Sequence, residues 1–101
     1  MNERPIPEAA IRDSDSVEML RVWIAEKKLH CSLKVGMYRE TMNIEEELAW
    51  GTILADAARH ISMALSQGTT SNAADSLMKI RKRFNEELSD PTSDVQGGFI
   101  E

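Results

Sequence analysis

Apolar and polar residues alternate in two short runs in the first third of the chain. Leu20, Val22 and Ile24 are separated by Arg21 and Trp23. Leu29, Cys31, Leu33 and Val35 are separated by His30, Ser32 and Lys34. A period of two, rich in β-branched and aromatic residues, predicts two strands. The polar stretch "EKK" between them predicts a hairpin turn, although the favoured Asn-Gly or Asp-Gly is missing. With Lys27 and Lys28 as the turn, Ile24 opposes Cys31, Val22 opposes Leu33 and Leu20 opposes Val35. That register makes one face wholly apolar. It sets Ala25, Trp23 and Arg21 against His30, Ser32 and Lys34 on the other. A slip of one residue would mix the two faces.

The period changes further along. Gly36 ends the second strand, and "MYRETM" reads as a connector. Asn43 followed by Glu46 reads as an N-cap with its capping-box partner, and Glu45, Glu46 and Glu47 suit the positive end of a helix. This helix is predicted over about 44–67, with Gly68 as its stop. A last helix is predicted over about 72–88, with Leu77, Ile80, Phe84 and Leu88 as its apolar stripe. Pro5 and Pro7 make residues 1–13 an extended arm. Pro91 and two glycines make residues 90–101 a mobile tail. The folded domain is then 14–89, and it is α+β: an antiparallel β-hairpin packed against a long central helix and a second, C-terminal helix.

Spacing residues 100° apart divides the long helix into three faces. Trp50, Ile53, Leu54, Ala57, Ile61, Ala64 and Leu65 form a broad apolar face, suited to covering the hairpin. Gly51, Ala55, Ala58 and Ser62 form a stripe of small residues that lets another backbone approach. Either the last helix of the same chain or a second subunit would meet that stripe. Gly51 lowers helix stability by about 1 kcal/mol relative to alanine, and a close contact would be a reason to keep it. The third face carries Thr52, Asp56, Arg59 and Met63, with His60 at its edge. Asp56 reaches Arg59 at i+3 and His60 at i+4. These residues, with His30, are the ligand-binding candidates. The competing reading is a solvent-facing ion pair beside a boundary histidine. No second histidine motif and no cysteine pair supports a metal, so neither metal nor cofactor is expected.

Trp23 lies on the hairpin face away from the long helix. A two-stranded sheet is marginal alone and has two open edges. The last helix, the N-terminal arm or a second subunit would have to cover Trp23 and an edge. The interface candidates are therefore Trp23, Gly51, Ala55, Ala58 and Ser62.

Composition narrows the function. The 101 residues suit one small domain, and such a domain buries only about 60–65% of its unfolded surface. A partner chain would help it. The net charge of -5 is a poor footprint for nucleic acid or an anionic membrane. The basic run "KIRKR" at 79–83 spreads around its helix, with carboxylates at i,i+4 spacing, and reads as a solvated face. Cys31 is the one cysteine, so no internal disulfide forms, and its place among apolar residues does not favour a nucleophile. The chain has no signal-like or membrane-spanning run, which makes the cytoplasm the default. Gly-rich phosphate loops, G-x-S-x-G, C-x-x-C and H-E-x-x-H are all missing, so no reaction is suggested.

"LRVWIAEKKLHCSLKVGMY" followed by "AWGTILADAARHISMAL" resembles a group of short proteobacterial proteins classed as a domain of unknown function. The shared pattern falls on Leu20 to Trp23, Leu29 to Leu33 and Trp50 to His60. The resemblance implies a bacterial protein and brings no activity with it. The leading expectation is a non-enzymatic association module that forms a homodimer and serves an unidentified protein partner. The alternative is a small-molecule or metal-binding protein using the Asp56, Arg59 and His60 face.

Overall fold

A computed structural model describes residues 1–68 and 70–100, apart from the side chains at 40, 41 and 100. The elements run α1 (Glu8–Arg12), β1 (Leu20–Ala25), β2 (Lys28–Lys34), α2 (Met37–Met42), α3 (Glu46–Gly68), α4 (Ala73–Ser89) and β3 (Val95–Ile100). The fold is α+β, with the hairpin, the long central helix and the C-terminal helix all present. No helix among the described residues is long and apolar enough to cross a membrane.

β1 and β2 pair antiparallel, but with Leu20 opposite Leu33, Val22 opposite Cys31 and Ile24 opposite Leu29. The turn is Glu26-Lys27 rather than Lys27-Lys28. Both turn residues have positive φ, 52° and 63°, the twist a two-residue hairpin loop requires. The register thus sits two residues from the expected one. Because side chains alternate with period two, a two-residue shift leaves each face intact.

The segment read as a mobile tail instead carries a strand. β3 adds to β2 in parallel, giving the order β1-β2-β3. Gly97 lies opposite Cys31 with φ +116°, and a Cβ there would sit 1.9 Å from the Cys31 carbonyl oxygen. Only glycine fits this approach. The N-terminal segment also departs from a plain extended arm, since Glu8–Arg12 forms one short helix.

α3 and α4 are each other's main packing neighbours, and one serine on each, Ser62 and Ser76, is buried. Asn72 caps α4, its side-chain oxygen accepting from the Asp75 amide at 2.8 Å. Among the described residues no strand packs extensively on α3 or α4. Leu54, Ile61 and Leu65 on the broad face of α3, and Val22 and Ile24 on the apolar side of the hairpin, stay exposed within one chain. Among the described residues no hydrophobic side chain is buried. The surface is 8713 Å², against about 5,800 Å² for a compact monomer of this mass. The radius of gyration is 15.5 Å, against about 12.7 Å for a compact domain of this length.

Candidate association surface

The strand register places three rows of side chains on one side of the sheet. They are Ile24–Leu29–Val95, Val22–Cys31–Gly97 and Leu20–Leu33–Phe99. Every position is apolar or glycine. Ile24 is 75% exposed and Phe99 67%. The opposite side carries Arg21, Trp23, Lys28, His30, Ser32 and Gln96. A contiguous apolar sheet face open to water is uncommon in a stable monomer.

The helices present a second open face. Leu54, Ile61 and Leu65 fall on one side of α3, and all three are exposed, Ile61 at 52%. On α4, Phe84 and Leu88 are exposed as well. Between the two helices lies a groove of about 460 Å³ lined by Leu54, Ala58, Leu77, Ile80 and Phe84.

Two carboxylates hold the junctions between sheet and helices. Glu46, in the first turn of α3, accepts from the Tyr38 amide at 2.7 Å and the Arg39 amide at 3.3 Å. Its other oxygen accepts from the Trp50 indole at 3.2 Å. It therefore caps α2, whose N-cap Gly36 has φ 97°. The expected Asn43–Glu46 capping box does not form. Asn43 instead closes α2 in the left-handed region, which its short polar side chain tolerates. At the other junction, Glu87 accepts from the Thr92 amide at 2.8 Å and the Thr92 hydroxyl at 2.5 Å. The Glu46 bond to Trp50 has the i,i+4 spacing of a helix, whereas the bonds from Glu46 to α2 and from Glu87 to Thr92 cross element boundaries and follow no regular spacing.

Partial desolvation pushes the Glu46 carboxyl up. The amides of Gly36, Tyr38 and Arg39 and the Trp50 indole outweigh it, so the pKa lies below the ordinary 4.5. Glu87 is also lowered, chiefly by the Thr92 hydroxyl and amide. A group with a depressed folded pKa contributes stability that is fully present above its unfolded value. That contribution is lost as pH falls through the folded value. Denaturant unfolding followed from pH 7 downward is expected to show stability falling below about pH 4.5. Glu46→Gln and Glu87→Gln should each flatten part of that slope. An unchanged slope in the double variant would show that other carboxylates carry it.

The residues singled out in the sequence are scattered. Asp56 and Arg59 form an exposed ion pair, and Arg59 lies on the rim of the α3–α4 groove. His60 is exposed on α3. His30 sits on the sheet, where its Nε2 is 3.1 Å from the Ala25 carbonyl oxygen. Among the described residues no group of three or more His, Cys, Asp or Glu side chains is placed to hold a metal. Gly51 and Ala55 line the groove, and a Cβ at Gly51 would meet open space. Nothing within one chain uses the glycine there. Ser62 is 1% exposed, buried by its own chain. Trp23 is half-buried and shares a hollow with the N-terminal arm. Arg21 ties that arm to β1 by reaching Glu3 at 2.9 Å and Glu18 at 2.9 Å.

No curated protein matches the chain. A solved structure from the photosynthetic bacterium Rhodopseudomonas palustrus CGA009, provisionally named a pyruvate dehydrogenase, superimposes with a TM-score of 0.72. The match covers 100% of this chain and 97% of that one at 23% identity. At that identity the likeness concerns the fold alone. A family model spans residues 3–92, which takes in the hairpin, the four helices and nearly all of the arm. The chain belongs to the family described as Domain of unknown function (DUF5076).

Proposed function

We propose that this chain is a non-enzymatic association module that works as a homodimer, with its open apolar faces as the contact surface. One observation carries the reading: no hydrophobic side chain among the described residues is buried in a single chain. The surface exceeds that of a compact monomer by roughly 2,900 Å². Over two chains the excess is roughly 5,800 Å². That is somewhat above what obligate homodimers bury in total, on the order of 2,000–5,000 Å², so a large contact with a second copy would take up most of it. A single chain also supplies both an apolar sheet face and an apolar helix face. A self-complementary contact between two copies therefore needs no third component.

Light scattering tests this directly. The expected mass is twice the 11.4 kDa of the chain across the micromolar range. A mass of one chain at high micromolar concentration would overturn the proposal.

A further inference from the structure

Resting on the homodimer reading, we infer that the dimer is reciprocal: the apolar sheet face of each chain seats on the α3–α4 helices of the other. Three observations point to this arrangement. First, the two faces are matched in chemistry and unmatched within one chain. The sheet side is apolar in all three rows, and the α3 side bearing Leu54, Ile61 and Leu65 is apolar and exposed. An amphipathic helix covering an apolar sheet is the ordinary two-layer solution of an α+β domain.

Second, the chain holds these layers apart. Sheet and helices are joined twice, from β2 through α2 into α3, and from α4 into β3. Glu46 fastens the first junction and Glu87 the second. A sheet clamped at both connections is not poised to close onto its own helices. Third, sheet against sheet would leave the helix faces open, and helix against helix would leave the sheets open. The reciprocal contact covers both faces of both chains under one two-fold axis, in line with the roughly 2,900 Å² excess per chain.

Cys31 lies in the central row of the sheet face and supplies the probe. One chain keeps Cys31. A second, differently tagged chain carries Cys31→Ser with Ile61→Cys, so its only thiol is on α3. The two are co-expressed, purified through both tags and treated with a short bismaleimide. The reagent reaches across packed layers, whereas a disulfide needs Cα atoms within about 4–7 Å. The expected product is a cross-link between the two tagged chains. Ala57→Cys, on the same face of α3 and with little volume change, should give the same product if Ile61→Cys perturbs folding. Met63→Cys, equally exposed on the far side of α3, should not.

Other outcomes overturn the arrangement in distinguishable ways. A link between two unaltered chains through their Cys31 thiols would place sheet against sheet. In a third chain that keeps Cys31 and carries Ile61→Cys, a link found only within the chain would mean the sheet closes on its own helices. In either case, a light-scattering mass of two chains would leave the homodimer standing while the reciprocal packing fails. A mass of one chain would remove both.

Discussion

Diluting the protein tenfold is expected to lower its thermal midpoint by about 3–4 °C, and a hundredfold by about 7 °C. In a single chain no described hydrophobic side chain is buried, and the surface is 8713 Å². Under the proposed homodimer, the hydrophobic term that offsets chain entropy in an ordinary domain is supplied chiefly between chains. Folding and association become one equilibrium, two unfolded chains to one dimer, and stability depends on protein concentration. With an unfolding enthalpy of roughly 0.7 kcal/mol per residue, two chains absorb about 140 kcal/mol, which sets the shift per decade. Calorimetry or circular dichroism across two decades of concentration reads it. A midpoint that does not move with concentration would mean that one chain folds by itself and finds its cover internally.

The sequence told more about faces than about partners. Strict alternation from Leu20 to Ile24 and from Leu29 to Leu33 correctly sorted the hairpin into an apolar and a polar side. It did not resolve the turn. Glu26 and Lys27 adopt positive φ without the Asn or Gly that would have marked them. The third strand was hidden for two reasons. Gly97 and Gly98 weaken any strand signal, and a parallel pairing with β2 joins segments far apart in the chain. Gly97 is a glycine because the Cys31 backbone lies against it, a reason visible only in three dimensions. Glu46 shows the same limit. Its spacing from Asn43 fits a local capping box, yet its carboxylate serves α2. The i,i+3 pair of Asp56 and Arg59 depends on nothing outside one helix and forms as its spacing implies. His30 and His60 lie on a strand and a helix that do not pack extensively, so no spacing rule could bring them together. Periodicity identified the apolar face of α3 as well. It is silent on whether the covering surface belongs to the same chain or to another.

Ile24→Asp separates those possibilities most sharply. In one chain Ile24 is 75% exposed. Were the sheet face bathed in water, aspartate there would cost little beyond a strand-propensity term of up to about 1 kcal/mol. Under the proposed packing the same position lies beneath the partner's helices. Burying an unpaired carboxylate there, together with the lost apolar contact, costs about 3–5 kcal/mol. A two-fold dimer carries the change twice, so the dimer loses about 6–10 kcal/mol, a weakening of at least about 10⁴-fold in Kd. The expected result is a chain that scatters as a monomer at micromolar concentration and has lost most of its cooperative thermal transition. Ser32→Asp is the control. Ser32 lies on the middle strand but faces the opposite side, across from Arg21, and its replacement should leave both mass and midpoint within about 0.5 kcal/mol of wild type. Equal tolerance of both substitutions would mean that the apolar face stays open to water. Equal intolerance would mean that the sheet as a whole, and not one side of it, is sensitive to charge. Only the asymmetric outcome ties the dimer to the rows that contain Ile24, Val22 and Leu20.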